Sequence, residues 1–169
     1  MTQQLCLLRH AEAEPWNPLG NDFSRRLTAK GARHAKLVSN WVTNTLIPPD
    51  TILCSPAKRA RETLAPLLSE WPKMLATTDY IDSMYNASFN MLMTLAEDAF
   101  SYSERLLLVG HNPGLEQALI ALLRQEQSIT IQPMHPGTLV VIEFTEGFKR
   151  DLNNGRLLHL VPREALSDN

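Results

Sequence analysis

The sequence has few of the features that mark a secreted or membrane protein. It contains only two cysteines, and both Cys6 and Cys54 lie inside apolar runs, where cysteine behaves as a small hydrophobe. Two such thiols show no disulfide pattern, which favours a reducing compartment. No apolar run is long enough to span a bilayer, and the polar start Met1-Thr2-Gln3-Gln4 does not resemble a signal peptide. These absences predict a soluble, cytoplasmic protein with no membrane partner.

Positive charge and glycine are also scarce. Sixteen lysines and arginines are balanced by eighteen aspartates and glutamates, which gives a formal net charge of −2 and a pI near 6.2. This balance does not predict binding to nucleic acid. The seven glycines form no glycine-rich phosphate loop, so ATP or NAD is not expected. The five histidines lack the spacing of zinc ligands, and the sequence therefore predicts neither a metal nor a cofactor.

Strand-like and helix-like segments alternate along the chain. The strand-like segments are 5–8, 51–54, 106–109, 138–144 and 156–161, with a weaker one at 74–78. The alternation predicts an α/β three-layer sandwich, in which a mostly parallel central sheet is flanked by helices. The last two strands are linked through Gly147 and 153–155, which predicts a hairpin at the edge of the sheet. With no repeat or linker in 169 residues, we expect one domain, residues 1–169.

Helix starts are indicated by capping residues. Thr28 and Ser88 each precede a periodic apolar pattern and are expected to be N-caps. Ser55 followed by Pro56 predicts an N-cap with proline at the first helical position. Asn112-Pro113 is expected to start the helix that follows the strand at 106–109.

Polar residues follow three of the predicted strands. In an open α/β sheet the carboxyl ends of the parallel strands form the edge at which ligands bind. Arginines supply paired donors to phosphate oxygens, and nearby helix N-termini favour an anion. A histidine without a metal is suited to attack phosphorus. The residues that we expect to meet at this edge are Arg9, His10, Ser55, Arg59, His111 and Asn112.

Three segments around these residues resemble the motifs of the histidine phosphatase superfamily, which includes phosphoglycerate mutases and acid phosphatases. They are residues 8–14 (LRHAEAE), 55–63 (SPAKRARET) and 109–113 (VGHNP). Residues 22–31, which follow the pattern Asp-x-x-Arg-x-Leu-Thr-x-x-Gly, are similar to a stretch typical of the short bacterial branch with phosphohistidine phosphatases. The resemblance runs in order over residues 5–124. Ala11 stands where much of the superfamily has glycine, and the short branch often has alanine there.

The resemblance implies a phosphoglycerate mutase-like fold and a metal-independent phosphatase. His10 would attack phosphorus and form a covalent phosphohistidine, which water then hydrolyses. Arg9, Arg59 and His111 would surround the phosphoryl oxygens and neutralise the charge that develops in the transition state. Further phosphate contacts are expected from Asn17, Ser55 and Asn112.

The residue that protonates the leaving group is less well specified. The family usually places an acidic residue in the loop after the third strand, and Asp82 is the match here. Glu12, Glu14 and Asp22, all in the first loop, are the competing carboxyls. Asp82 is our first choice.

The length of the chain bears on the substrate. Its 169 residues leave no room for the long insertions that roof the site of phosphoglycerate mutases. An open site suits phosphohistidine carried by another protein, and such a phosphoprotein is the expected partner of a monomer. The alternatives are a small-molecule phosphomonoesterase of the same superfamily and a non-catalytic phosphate-binding module.

Other polar and aromatic residues are expected to have ordinary roles. Lys58 and Arg61 should face solvent. Trp16, Tyr85 and Phe89 would line the rim of the pocket or belong to the core. Structural roles are expected for the three remaining histidines, His34, His135 and His159.

Overall fold

Six strands and four helices are present in residues 1–123, 133–150 and 153–166, which are the residues that the computed structural model describes. The strands are Gln3–Arg9 (β1), Thr51–Cys54 (β2), Thr78–Tyr80 (β3), Arg105–Gly110 (β4), Leu139–Phe144 (β5) and Arg156–Val161 (β6). The helices are Ala29–Thr45 (α1), Lys58–Glu70 (α2), Phe89–Phe100 (α3) and Gly114–Leu122 (α4).

The strands form one sheet in the order β3-β2-β4-β1-β5-β6. The pairs β2/β3, β2/β4 and β1/β4 are parallel, whereas β5 pairs antiparallel with both β1 and β6. The sheet is therefore mostly parallel and the final hairpin lies at its edge, which confirms both predictions.

Each face of the sheet is covered by one pair of helices, because alternate residues of a strand point to opposite faces. Helices α3 and α4 pack on the face that carries Leu5, Leu7, Leu106, Leu108, Val140 and Ile142. Helices α1 and α2 pack on the face that carries Cys6, Leu8, Ile52, Cys54, Leu107 and Val109. The two cores confirm the three-layer α/β sandwich.

The two cysteines lie in the core, as expected. Cys6 and Cys54 are free thiols, and burial raises the pKa of each to about 12. Both therefore stay protonated and behave as apolar side chains. Among the described residues, no helix has the length and hydropathy that crossing a membrane requires.

The expected N-caps at two helices are confirmed. The hydroxyl of Thr28 accepts from the backbone N–H of Gly31, and that of Ser88 accepts from Met91. Gly31 is required at its place because a Cβ there would lie 2.0 Å from the carbonyl oxygen of Glu12. This close approach fixes the start of α1 beside the loop that follows β1.

Three expected boundaries differ from the structure. Helix α2 begins at Lys58 and its N-cap is Ala57, so the predicted cap at Ser55 is wrong. The Ser55 hydroxyl accepts from the backbone N–H of Ala57 at 3.3 Å, before the helix, and also bonds to the ring of His111. The segment expected as a strand at 74–78 is mostly a 3-10 helix, Pro72–Thr77, because Pro72 starts a turn after α2. Helix α4 begins at Gly114, after Pro113.

Candidate active site

The carboxyl ends of β1, β4 and β2 lie side by side and place the predicted site residues together. Arg9 is paired with Gly110 across the β1/β4 ladder. Just beyond the strands, the backbone N–H of His10 donates to Gly110 at 3.1 Å, and that of Ser55 donates to Val109 at 2.9 Å. Since His111 follows Gly110 directly, three segments that are distant in the sequence meet at one edge of the sheet.

The side chains of four predicted residues touch there. The ring centroids of His10 and His111 are 5.1 Å apart. The Nε of Arg59 donates to Nε2 of His10 at 3.2 Å, and Nε2 of His111 lies 2.7 Å from the hydroxyl of Ser55. All four side chains are buried. The structure therefore brings His10, Arg59, His111 and Ser55 into one cluster.

The ring of His10 is held in the form that a nucleophile needs. Its Nδ1 lies 2.8 Å from the carbonyl oxygen of Ala11, so Nδ1 carries the proton and donates to this acceptor. The lone pair is then on Nε2, which accepts from Arg59. Burial lowers the pKa of His10 to about 4, with a further lowering by the positive charges of Arg59 and Arg9, although the bond to Ala11 opposes it. His10 is therefore neutral at pH 7.

The guanidinium of Arg59 is held from its other side by Asp22. Nη1 donates to the carbonyl oxygen of Asp22 at 2.7 Å and Nη2 to its carboxylate at 3.1 Å. The hydroxyl of Tyr85 donates to the same carboxylate at 2.5 Å. The pKa of Asp22 is lowered to about 2, first by the bond from Tyr85 and then by Arg59 and Arg25. Asp22 is thus an ionised group that orients Arg59.

Arg9 is held by the turn that precedes β5. Its Nη1 donates to the carbonyl oxygen of Met134 at 2.6 Å. The same oxygen accepts from the amide of Asn112, which also donates to Glu116 at 2.9 Å. The Nε of Arg9 is buried and has no partner in the described part of the chain. Asn112 therefore supports the turn, while Arg9 retains an unused donor.

His111 also has an unpaired nitrogen. The hydroxyl of Ser55 accepts from the backbone N–H of Ala57 at 3.3 Å, so we assign its own proton to the bond with Nε2 of His111. This assignment places the ring proton on Nδ1, which is buried and unpartnered within the described ranges. Burial lowers the pKa of His111 to about 3, and the nearby His10 and Arg59 lower it further. An unsatisfied buried donor is costly. The unpaired nitrogens of Arg9 and His111 therefore indicate a place for an anion.

Besides Arg9 and Asn112, whose side chains bond to the turn at Met134, two more predicted residues lie outside this cluster. Asn17 is exposed, and its side-chain oxygen accepts from the backbone N–H of Leu19 at 3.0 Å. Asp82 is exposed in the 3-10 turn Asp82–Met84, directly before Tyr85. In this structure neither side chain bonds to the clustered residues.

The competing carboxyls of the first loop have different partners. Glu12 accepts from the hydroxyl of Thr28 at 2.9 Å and forms an ion pair with Arg163 at 3.3 Å. Glu14 is exposed near the backbone of Arg26. Of the four candidate proton donors, only Asp22 touches a side chain of the cluster.

Two supporting residues were not recognised in the sequence. The hydroxyl of Thr63 accepts from the backbone N–H of Ala11 at 2.9 Å and donates to the carbonyl of Arg59 at 2.7 Å. The signal for it is its spacing, since a residue four positions after Arg59 lies on the same side of a helix. The N–H of Gly137 lies within bonding distance of the carbonyls of both Arg9 and His10, at 3.2 and 3.0 Å. No pattern in the sequence indicates this second contact.

The remaining histidines have structural surroundings, as expected for His34 and His159. His34 is buried, and its Nε2 lies 3.2 Å from the carbonyl oxygen of Gly137. His159 packs edge-on against Trp41. His135 is exposed in the turn next to Met134.

The three aromatic residues whose location was left open have different environments. Tyr85 packs against His111 with ring centroids 5.6 Å apart. Phe89 packs against the core, and Trp16 is 65% exposed. Only Tyr85 borders the cluster directly. In the ranges that the structure describes, no three His, Cys, Asp or Glu side chains are grouped as metal ligands.

Comparison with known proteins gives independent results. The family model of the histidine phosphatase superfamily (branch 1) matches residues 5–98. The uncharacterized protein Rv1276c of Mycobacterium tuberculosis is 30% identical over 115 residues, which are 68% of this chain and 69% of that protein. The crystal structure of a candidate phosphohistidine phosphatase, SixA, from Agrobacterium tumefaciens is 28% identical with a TM-score of 0.81, and covers 94% of this chain and 96% of its own.

A second solved structure is similar in fold. The protein histidine phosphatase SixA complexed with tungstate is 17% identical with a TM-score of 0.76, and the match covers 95% of this chain and 97% of that one. The phosphoglycerate mutase-like fold that the motifs imply is thereby confirmed.

Proposed function

Because the chain belongs to the histidine phosphatase superfamily, short SixA-like branch, we propose that it is a metal-independent phosphatase that acts through a covalent phosphohistidine, with phosphohistidine in proteins as its substrate. The family and the fold support a phosphatase. One observation carries the mechanism: a neutral, buried His10 whose Nε2 faces Arg59, with His111 beside it.

The first step is an in-line attack on phosphorus. In the free protein an N–H of Arg59 occupies the lone pair of His10 Nε2. When the substrate binds, that N–H turns to a phosphoryl oxygen and leaves the lone pair free. The bond from Nε2 to phosphorus forms and the bond from phosphorus to the substrate nitrogen breaks. The substrate imidazole, protonated by solvent on its other ring nitrogen before the attack, leaves as neutral imidazole. Water then attacks the phosphohistidine and releases inorganic phosphate.

Three groups stabilise the phosphoryl charge in this scheme. Arg9 and His111 each offer a buried nitrogen with no other described partner, and Arg59 already lies against the nucleophile. The Ser55 hydroxyl orients His111 from behind. Loss of one preorganised donor of this kind typically costs about 10²–10³ in rate. Asn17 and Asn112 were also expected to contact the phosphate. Asn17 would reach the phosphate only if its loop moved toward the cluster, and Asn112 acts indirectly, by supporting the turn that holds Arg9.

The requirement for a proton donor depends on the leaving group. Asp22, whose pKa is about 2, is ionised at neutral pH and does not supply a proton to the leaving group. An imidazole leaves phosphorus more readily than an alkoxide does, so phosphohistidine needs a weaker acid. This favours phosphohistidine over an oxygen ester. For oxygen esters, we propose exposed Asp82 as the donor.

The proposal is tested with the purified protein and a peptide that carries one phosphohistidine. We expect phosphate release in the presence of EDTA, and we expect His10→Ala to abolish it. A labelled phosphoenzyme should be trapped under alkaline denaturing conditions, in which phosphohistidine is stable, from the wild type only. Lys73→Ala, an exposed change, is the control.

Two outcomes would contradict the proposal. Full activity of His10→Ala would exclude His10 as the nucleophile. Turnover of sugar or nucleoside phosphates at a far higher kcat/KM than that of the phosphopeptide would favour the small-molecule phosphomonoesterase. If no phosphate compound is turned over and no phosphoenzyme is trapped, the chain is a phosphate-binding module.

A further inference from the structure

A groove is lined in part by Phe23 and Pro56, the chain neighbours of Asp22 and Ser55. It has a volume of about 570 Å³, which is within the range of small-ligand sites. Its principal lining residues are Phe23, Ser24, Pro56, Lys58, Arg61 and Tyr80. None of these side chains takes part in the chemistry described above.

The groove and the active site share a wall. Phe23 follows Asp22, which holds Arg59, and Pro56 follows Ser55, which holds His111. The ring of Phe23 packs edge-on against Tyr85 at 5.2 Å, and Tyr85 packs in turn against His111. A chain whose phosphorylated residue reaches His10 can therefore continue into the groove.

The groove is positive although the protein as a whole is not. Lys58 and Arg61 are both exposed, and neither forms an ion pair within the described residues. The one carboxylate in the lining, that of Glu62, accepts from Arg26 at 3.0 Å and from the backbone of Leu27 at 2.8 Å. Two cations thus remain available in a chain whose net charge is −2.

The floor of the groove is suited to a polypeptide. Phe23 is 37% exposed and Tyr80 is 41% exposed, and both are aromatic. The guanidinium of Arg61 lies over the ring of Tyr80, 4.6 Å from its centroid, which holds this cation in place. The two aromatic rings can contact the aliphatic atoms of a polypeptide, and the two cations can pair with its carboxylates. A free ion would contact only the cations, so the groove suits an acidic segment better than an ion.

We propose that this groove binds an acidic segment next to the phosphorylated residue of a protein substrate. Lys58 and Arg61 pair with its carboxylates, while Phe23 and Tyr80 contact its aliphatic atoms. The groove then determines which phosphoproteins are bound, whereas the catalytic cluster contacts only the phosphorylated residue. The inference rests on the proposed function, because it needs a phosphorylated protein as substrate.

The test uses two synthetic peptides that carry one phosphohistidine each and differ only in flanking residues, aspartate and glutamate in one and lysine in the other. We expect the wild type to have a kcat/KM about 3- to 10-fold higher for the acidic peptide, since exposed ion pairs are individually weak. The preference should disappear in 1 M NaCl, where charges are screened within about 3 Å.

Charge reversal identifies the groove. The double variant Lys58→Glu, Arg61→Glu should prefer the lysine peptide. The matched control Lys36→Glu, Lys73→Glu makes the same change in net charge at exposed positions outside the groove and should keep the preference of the wild type. Hydrolysis of phosphoramidate, which has no flanking chain, should change by less than about twofold in both variants.

The possible outcomes separate the two proposals. If the wild type treats the two peptides alike, or if the groove variant keeps the preference for the acidic one, the docking proposal is overturned. The comparison within the wild type and its salt dependence decide the matter even if the variant folds poorly. If the wild type hydrolyses phosphoramidate but shows no peptide preference, only the docking proposal fails. If it hydrolyses no phosphorylated compound, the proposed function fails.

Discussion

Thr63 joins the end of β1 to α2, and replacing it with valine removes this link without changing the size of the side chain. Its hydroxyl accepts from the backbone N–H of Ala11 at 2.9 Å and donates to the carbonyl of Arg59 at 2.7 Å. Ala11 and Thr63 are both buried. In Thr63→Val, water does not replace the lost hydroxyl.

The cost is set by the donor that is left unpaired. The carbonyl of Arg59 lies inside α2 and keeps its helical partner, but the N–H of Ala11 is left buried without an acceptor. An unsatisfied buried group costs about 1–3 kcal/mol. We therefore expect the free energy of unfolding to fall by that amount, which corresponds to a fall in Tm of about 2–12 °C for a domain of this size.

In Thr63→Val, kcat should fall by more than the loss of folding stability alone would explain. The carbonyl of Ala11 holds Nδ1 of His10, so a shifted Ala11 backbone misorients the nucleophile. Misplacement of a reacting group by 1 Å can cost about 10²-fold in rate. We expect kcat for the phosphohistidine peptide to fall about 10- to 100-fold with little change in KM, because the phosphate donors of Arg9 and His111 remain in place.

Urea unfolding and steady-state kinetics measure the two effects. Thr63→Ser keeps the hydroxyl and should restore most of the kcat. Thr43→Val is the matched control, because the Thr43 hydroxyl donates only to carbonyls of its own helix. If Thr63→Val unfolds and turns over like the wild type, the hydroxyl does not position the nucleophile, and our account of this contact is refuted.

Two further predictions concern protonation and backbone geometry. Since the pKa values of His10 and His111 are about 4 and about 3 in the folded protein, kcat/KM should decline only below about pH 5, and a decline centred near 6.5 would contradict the burial of the rings. Between pH 6.5 and 4 the unfolded chain binds more protons than the folded chain. As the pH is lowered through this range, the free energy of unfolding should therefore fall by up to about 1.4 kcal/mol per pH unit for each ring. The fall should be smaller in His10→Gln, which has lost one of the two rings. Gly137→Ala should lower both stability and kcat, because φ is +87° and a Cβ would lie 2.3 Å from the ring of His34. Gly147 also has a positive φ, +81°, but a Cβ there would meet no atom closer than 3.6 Å, so Gly147→Ala should lose only the stability that the strained backbone costs. Equal losses of stability and kcat in the two variants would refute a role for Gly137 in supporting the site.

The elements that carry the site could be predicted because they depend on local sequence. A run such as Thr51–Cys54, apolar and bounded by turn residues, has few alternatives to a buried strand, and its bounds are confirmed. Parallel strands must then place their carboxyl ends at one edge. The meeting of His10 with His111 follows from this rule, although 101 positions separate them in the sequence.

The parts that could not be predicted depend on competition between partners. Ser55 has the sequence of an N-cap, but its hydroxyl bonds to the buried imidazole of His111 and to the N–H of Ala57, and the helix begins only after Ala57. Asp22 was one of several acids in a loop, and only the folded chain shows that it pairs with Arg59 and Tyr85. Local patterns specify which groups a residue offers, but not which partner accepts them.

The balance of charge in the site has a consequence for binding. Arg59 is paired with the carboxylate of Asp22, and Glu116 opposes the lowering of the pKa of Arg9 that burial causes. The free site is therefore close to neutral, with both imidazoles unprotonated. A phosphoryl dianion adds two negative charges to this buried cluster. In the proposed mechanism the guanidinium groups of Arg9 and Arg59 offset these charges, and the unpaired Nδ1 of His111 adds a neutral donor to a phosphoryl oxygen. The burial of both rings beside the arginines thus keeps His10 nucleophilic in the free protein and keeps His111 a neutral donor.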